Sequence, residues 1–160
     1  MLPISAAHSY SRFKSIHCID YIINQFSKVP VNKMKPVIRN ILRNAVYQMK
    51  YMDSVPNAAA CNEAVKLATK KGFHNLKGFV NGVLRSIDRG LETMVLPDDL
   101  SIRYSMPKWI LDQWLSDYSC ETVESMLADF QKEKSTTIRC NFRRMSKETL
   151  IEKLKKEERK

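Results

Sequence analysis

Residues 34–49 carry an apolar stripe that requires an α-helix with one face in a protein core. Its members recur at spacings of three and four: Met34, Val37, Ile38, Ile41, Leu42, Ala45, Val46 and Met49. Such spacing returns to one side of a helix, whereas a strand would need strict alternation. The same spacing recurs within 9–27, 58–71, 76–89, 98–104, 109–118 and 123–130. The sequence therefore predicts an all-α fold built as a helical bundle.

The end of the chain departs from this pattern. Residues 136–142 alternate as a strand does, and Ser146 is expected to cap a final helix that runs through Leu154. One strand is not stable alone, so we expect it to begin an incomplete α+β domain. The predicted organisation is a helical domain at 1–90, a linker and helical extension at 91–134, and the start of that second domain at 135–160.

Two residues are predicted to lie at the starts of helices. Asn57 is expected to cap the helix after Pro56, and Ser105 is expected to help start the helix near Pro107. The periodicity from Leu76 onwards passes straight through an Asn-Gly pair, so we predict a helix there although that pair alone favours a hairpin.

Two further features predict packing. Gly78 and Gly82 lie one turn apart and are expected to let another helix approach closely. Trp109 and Trp114, five residues apart, cannot share one narrow stripe. We expect them to pack against two neighbouring elements, with base stacking as the alternative.

The cysteine pattern gives no sign of a metal site. Cys18, Cys61, Cys120 and Cys140 form no C-x-x-C pair and no zinc spacing with the three histidines. Buried thiols in a reducing compartment are expected instead. No apolar run approaches the ~20 residues of a membrane helix, and residues 1–8 lack the features of a signal peptide. A cytoplasmic location without membrane contact is the resulting expectation.

The net charge of +10 is concentrated in one part of the chain. Residues 1–90 hold 14 Lys and Arg against 4 Asp and Glu, whereas residues 91–160 hold 13 of each. A polyanion is the natural partner for such a surface, because neutralising phosphates releases counterions. We therefore expect RNA or another nucleic acid to bind the first ninety residues.

The main candidate site is a face of the helix at 34–50 that carries cations and no acid. Lys35, Arg39, Arg43 and Lys50 are spaced by four, four and seven residues, which places them above one another. An ordinary solvated face mixes acids with bases, because like charges four residues apart repel. This face is the better candidate for phosphate contact. Reversing Arg39 and Arg43 to glutamate is expected to weaken RNA binding.

Four cations outside that helix complete the predicted RNA-binding set: Lys70, Lys71, Lys77 and Arg85. Lys70 and Lys71 stand in a last helical turn before Gly72, where cations also stabilise the helix dipole. That structural role and an RNA role are equally supported at this point.

Several motifs resemble a known helical domain. They are Lys35-Pro36-Val37-Ile38-Arg39-Asn40-Ile41-Leu42-Arg43, Tyr47-Gln48-Met49, Val55-Pro56, Asn62-Glu63-Ala64-Val65-Lys66-Leu67-Ala68 and Gly78-Phe79-Val80-Asn81-Gly82-Val83-Leu84-Arg85. This set resembles the NusB-like domain, which occurs in the antitermination factor NusB. It also occurs at the front of the RsmB (Sun/Fmu) type 16S rRNA cytosine-C5 methyltransferases.

The residues after this domain favour the methyltransferase branch. Leu100-Ser101-Ile102-Arg103-Tyr104-Ser105-Met106-Pro107-Lys108-Trp109-Ile110 is similar to the RYSxPxW segment of the RsmB family. Thr137-Ile138-Arg139-Cys140-Asn141 resembles the strand that opens the family's small domain. The family's Asn-Asn and Pro-Pro pairs are absent at 129–135, and the short opening suggests truncation at both ends. Core faces left exposed would then pair with a missing methyltransferase domain or with a second copy.

The resemblance implies S-adenosylmethionine for a full-length parent, but this chain is predicted to be catalytically inactive and to hold no cofactor. The family's nucleophilic cysteine follows proline, whereas His17, Ala60, Ser119 and Arg139 precede the four cysteines here. No glycine-rich turn follows a predicted strand. The expected function is recruitment of ribosomal RNA. A stand-alone NusB-type transcription factor acting through a protein partner is one alternative. The other is a helical module that only packs against its own catalytic domain.

Overall fold

The computed structural model describes residues 15–132 and 139–158, and these contain eight α-helices and no strand. In chain order the helices are α1 Ile16–Phe26, α2 Pro36–Tyr51, α3 Asn57–Lys70, α4 Lys77–Gly90, α5 Leu100–Arg103, α6 Lys108–Asp117, α7 Cys120–Gln131 and α8 Lys147–Glu158. Short 3-10 turns at Val31–Lys33 and His74–Leu76 precede α2 and α4. The predicted all-α fold is confirmed.

The sequence signals explain where the central helices begin and end. Proline occupies the first position of α2, where its fixed φ suits a helix and its missing N–H costs nothing. Beyond the end of α3, Gly72 has φ +83°, the left-handed conformation that glycine adopts without penalty. The periodicity of α4 prevails over the Asn81-Gly82 pair, and the predicted helix runs through both residues.

The side chains separate into two cores. The first lies between α1, α2, α3 and α4 and includes the fully buried Ile19, Ile22, Ile23, Leu42, Val46, Val80, Leu84 and Ile87. Small residues on α3, including Ala60, Ala64 and Ala68, let that helix pack closely. The second core is smaller and consists of Leu111, Val123 and Leu127, with Leu100, Tyr104, Met106 and Trp114 packed against it. α5 contacts α1 and so joins the two.

The capping role predicted for Asn57 is wrong. Pro56 is the residue that precedes the helix, and Asn57 is its first helical residue. Its side-chain Nδ2 donates a hydrogen bond to Oδ1 of Asp88 at 2.9 Å. Asn57 therefore joins the start of α3 to the end of α4, a partner that local rules cannot identify.

The two tryptophans behave differently from each other. Trp114 packs into the second core, and its ring centroid lies 6.0 Å from that of Phe130. Trp109 is 69% exposed, so the expectation that both would pack between elements is wrong for Trp109. The expectation for the thiols also holds only in part, because Cys18 and Cys61 are buried while Cys120 is exposed.

The last described segment carries the predicted final helix. Ser146 Oγ accepts a hydrogen bond from the backbone N–H of Thr149 at 3.3 Å, which confirms its capping role for α8. Residues 136–138 of the predicted strand lie outside the described residues, and 139–142 are not in a strand. Among the helices that the structure describes, none has the length and apolar content needed to cross a membrane.

The glycines of α4 do not serve the predicted close approach of another helix. A methyl group added to Gly78 or Gly82 would meet no atom within 4 Å, so the packing interpretation is wrong for both. Close approach occurs instead at Gly90, where a methyl group would lie 2.5 Å from Cε1 of Phe26. The ring of Phe26 at the end of α1 thus occupies the space that a side chain would need.

This difference predicts opposite effects for two alanine substitutions in one helix. Gly82→Ala should raise the free energy of unfolding by about 0.5–1 kcal/mol, because alanine costs less conformational entropy in a helix. Gly90→Ala should lower it by about 1–3 kcal/mol, because the ring of Phe26 must shift. Urea unfolding followed by circular dichroism measures both. Equal effects of the same sign would contradict the contact at Gly90.

Candidate nucleic-acid interface

The cation face of α2 is more enclosed than its sequence suggests. Lys35 is exposed, but Arg39, Arg43 and Lys50 are only partly accessible. Tyr47, one turn after Arg43 on the same helix, is buried. These cations therefore lie at the edge of the core, and the contacts of each differ from those of the next.

Arg43 is paired with an acid from another helix. Its Nε donates to Oδ1 of Asp20 at 2.7 Å and its Nη2 donates to Oδ2 at 2.6 Å. This is a bidentate ion pair between α2 and α1. The two side chains are only 18% and 25% exposed. Arg43 thus contributes to packing of α1 on α2. Reversing it to glutamate would set two carboxylates against each other, so the double reversal with Arg39 would confuse folding with RNA binding.

Arg39 lies one turn from Arg43 and has a different environment. Its Nε is buried and has no hydrogen-bond partner among the described residues. No ion pair to Arg39 occurs within that part of the chain either. Its guanidinium charge is therefore not compensated by any acid in the part of the chain that the structure describes.

Lys35 connects α2 to a second set of cations. Its Nζ lies 5.4 Å from the centroid of the Phe73 ring, so the start of α2 lies beside the turn between α3 and α4. Lys70 and Lys71 end α3 and Lys77 starts α4 at that same turn. We call Lys35, Lys70, Lys71, Phe73 and Lys77 the basic end. All four lysines are exposed.

Among the described residues, none of the four acids in the first ninety residues forms an ion pair with the basic end. Asp20 pairs with Arg43, Glu63 lies 2.8 Å from Lys66, and Asp88 lies 3.8 Å from Arg85. Asp53, the fourth, follows α2 at the opposite end of the bundle. Lys70, Lys71 and Lys77 form no ion pair with any residue that the structure describes. Four of the cations that form no ion pair with a described residue therefore lie at the basic end.

The remaining two predicted residues do not join this group. Lys50 stands in the last turn of α2, with its Nζ 5.6 Å from the centroid of the Tyr51 ring. Arg85 lies in the second half of α4 beside Asp88. The fold thus brings together four of the eight predicted cations, with Arg39 one turn away. No comparison tests these eight as RNA contacts, so that role stays a prediction.

Phe73 is the member of the basic end that the sequence analysis missed. It directly follows Lys70-Lys71-Gly72, and an aromatic residue among lysines is itself a signal for stacking on bases or on cations. Its neighbour His74 is exposed at the same turn. The contact with Lys35, 38 residues away, could not be read from local pattern.

Sequence comparison identifies the helical bundle. Residues 7–89, just over half of the chain, match the profile described as the NusB family. The chain belongs to the NusB family. Residues 106–160 match a second profile, described as the RsmF/B-like methyltransferase ferredoxin-like domain. The predicted resemblance to the NusB domain, followed by the small domain of the methyltransferase branch, is confirmed.

Individual relatives of two kinds match the chain. The chain is 31% identical over 150 residues to a probable ribosomal RNA small subunit methyltransferase B from Bacillus subtilis, covering 91% of this chain and 33% of that protein. A protein of the same name from a Synechocystis species is 32% identical over 128 residues, covering 77% and 29%. The transcription antitermination protein NusB of Nitratidesulfovibrio vulgaris is 38% identical over 76 residues, covering 47% and 46%.

The matches to the two kinds of relative cover different lengths of the chain. The chain spans about a third of the length of the two methyltransferase relatives. No solved structure matches the chain. The likeness to the methyltransferases continues well beyond the helical bundle, whereas the likeness to NusB covers less than half of the chain.

The pairing of Arg43 with Asp20 predicts a difference between two acid-to-alanine substitutions. Asp20→Ala should lower the free energy of unfolding by about 1–3 kcal/mol, because it leaves a partly buried guanidinium without its acceptor. Glu63→Ala is the matched control. Its pair with Lys66 is exposed at 73% and 69%, so its loss should change the free energy of unfolding very little. Equal losses in urea unfolding would contradict a structural role for the Asp20–Arg43 pair.

Proposed function

We propose that this chain is the RNA-binding amino-terminal part of a 16S rRNA cytosine-C5 methyltransferase, and that it holds ribosomal RNA through the basic end. The observation that carries the proposal is that Lys35, just before α2, lies over the ring of Phe73 in the turn between α3 and α4, which also carries Lys70, Lys71 and Lys77. All four lysines are exposed and none forms an ion pair with a described acid. Its relatives named as ribosomal RNA methyltransferases give the class of RNA.

The chemistry of the basic end suits a phosphate backbone. Lysine is a compact charge on a flexible stem, which adapts to phosphates without fixing a base sequence. Neutralising four phosphates of single-stranded RNA should give a slope of about −2.8 for log K against log salt concentration. Phe73 supplies an aromatic surface among the lysines, although Lys35 already lies over its ring. Affinity at this surface is thus chiefly electrostatic.

Catalysis is assigned to other parts of such an enzyme. Methyl transfer needs a donor, for which S-adenosylmethionine is proposed in a full-length protein. Within residues 15–132 and 139–158, Gly72 follows a helix and the other three glycines lie inside helices, so no glycine-rich turn after a strand is available to hold it. No methyl-transfer step is derived from this chain. Its location in the cytoplasm follows from the proposed ribosomal substrate.

We propose a separate role for each of three segments of the chain. Residues 1–90 bind RNA, residues 91–134 form a helical extension, and residues 135–160 begin the domain that precedes the methyltransferase domain. A dimer through exposed core faces stays a prediction.

A second candidate function is a NusB-type antitermination factor that acts through a protein partner. The match to NusB of Nitratidesulfovibrio vulgaris favours it for the helical bundle. The match of residues 106–160 to a methyltransferase-associated domain favours the first proposal. Co-purification of a ribosomal S10-like protein with this chain, rather than of ribosomal RNA, would support the second.

Charge reversal at the basic end tests the RNA proposal. Lys70→Glu with Lys71→Glu should weaken binding of a labelled single-stranded 16S rRNA fragment and make the salt slope shallower by about 1.4, because two phosphate contacts are lost. Fluorescence anisotropy over a salt series measures both quantities. Circular dichroism should stay unchanged.

The matched control reverses two cations that also stand in last helical turns. Lys50→Glu with Arg89→Glu makes the same change of charge near the ends of α2 and α4, away from the basic end. It removes equivalent helix-dipole stabilisation and should leave the salt slope nearly unchanged. Equal weakening in both double variants would mean that RNA responds to net charge alone, and the basic end would lose its assigned role.

A further inference from the structure

The segment Arg103-Tyr104-Ser105 has contacts on both cores, and the proposed RNA binding does not use it. It begins at the last residue of α5, the shortest helix, and lies in the chain between the four-helix bundle and the α6–α7 pair. Two of its side chains reach towards α7 and the third reaches back to α1.

Arg103 and Tyr104 hold one carboxylate of α7. Nη1 of Arg103 lies 2.9 Å from Oε1 of Glu124, and the Tyr104 hydroxyl donates to the same oxygen at 3.1 Å. Gln131, at the end of α7, donates from Nε2 to the backbone oxygen of Tyr104 at 2.8 Å. Charge-assisted hydrogen bonds of this kind also fix geometry. The segment is therefore anchored on α7 at two places.

Ser105 makes the contact with the other core. Its Oγ accepts a hydrogen bond from the backbone N–H of Cys18 at 3.1 Å, across 87 residues of chain. Cys18 lies in the first turn of α1, where backbone N–H groups have no partner within the helix, and its side chain is buried. The Ser15 side chain, next to the helix start, makes no capping bond. Ser105 thus acts as the cap for α1 from outside the helix.

This arrangement corrects the role predicted for Ser105. The sequence suggested that it would start the helix near Pro107, but that helix has Pro107 itself at the capping position and no side-chain cap. The backbone explains the difference. Ser105 has φ +51°, the only non-glycine residue with positive φ among the described residues, and this turns its side chain away from α6.

The left-handed backbone at Ser105 has a cost that local structure does not repay. A residue with a side chain is less stable there than in the right-handed form, whereas glycine loses nothing. A turn that needed only this conformation would be better served by glycine. The hydroxyl contact with Cys18 gives a physical reason for serine at this position.

We propose that Arg103-Tyr104-Ser105 is a two-sided connector that fixes the orientation of α6 and α7 on the α1–α4 bundle, with Ser105 as the positioning residue that holds α1. Through it, the chain that follows α7 leaves the molecule in a set direction relative to the basic end. The connector acts whether or not RNA is bound, so it stands independently of the proposed function.

Two substitutions separate the hydroxyl from the backbone conformation. Ser105→Gly removes the strain and the acceptor together. Ser105→Asn keeps an acceptor oxygen, because asparagine replaces serine at helix caps and also tolerates positive φ. If Ser105 were only a turn residue, the glycine variant would be at least as well ordered as the natural protein.

The test measures orientation directly in the full chain. Spin labels on Asn62→Cys of α3 and Ser125→Cys of α7, both exposed positions, report the distance between the two cores after Cys120→Ser and Cys140→Ser. Ser105→Gly should broaden that distance distribution and speed hydrogen exchange of the Cys18 amide about fivefold, the typical worth of a helix cap. Ser105→Asn should keep the narrow distribution and the slow exchange.

Three results would overturn the proposal. The first is an unchanged distance distribution and unchanged Cys18 exchange in Ser105→Gly. The second is equal broadening in the glycine and asparagine variants, because the acceptor would then be irrelevant. The third is faster exchange throughout α2, α3 and α4 in Ser105→Gly, which would indicate a general loss of stability rather than a change of orientation.

Discussion

The ion pair between Arg43 and Asp20 removes the central arginine of α2 from the cations that a polyanion can contact. By joining α2 to α1, it uses the only acid of α1. Breaking such a pair at low exposure is costly because it leaves one charge without its partner, so the guanidinium cannot also turn outwards to a phosphate without destabilising the bundle. Lys35, Lys70, Lys71 and Lys77 form no ion pair with a described residue and lie at or beside the turn between α3 and α4. The candidate interface is therefore built from cations that packing does not use.

The helices could be predicted from sequence because their signals are local. The apolar spacing of α2, the proline at its start and Gly72 after α3 each act within a few residues of the feature that they specify. The same rules misplaced Asn57, Gly82 and Ser105. Each of these errors concerns a contact, or its absence, between residues far apart in sequence. Periodicity reports which face is buried but not which helix covers it.

For the candidate site too, the sequence predicted the local features but not the contacts between helices. A net charge and an acid-free helix indicated the polyanion and the part of the chain that would bind it. The grouping of Lys35 with Lys70, Lys71 and Lys77 depends on the antiparallel return of α3, and Phe73 enters only through its contact with Lys35. The partner of Arg43 was equally hidden, because Asp20 belongs to a different helix. Counting acids along one helix cannot detect compensation from its neighbour.

The four-helix bundle and the α6–α7 pair differ in charge as well as in size. Their relative orientation, which the connector is proposed to fix, therefore affects the electrostatic field near the basic end. Residues 1–90 carry +10, whereas residues 98–131 hold 7 acids against 2 bases, a net charge of −5. If a nucleic acid binds the basic end as proposed, α6 and α7 would repel it, and this acidic pair would restrict the directions in which a bound strand can leave the bundle. That restriction has a defined direction only if the acidic pair is held at a fixed angle. The contacts of Arg103 and Tyr104 with Glu124, and of Ser105 with Cys18, are the means by which the fold can hold it.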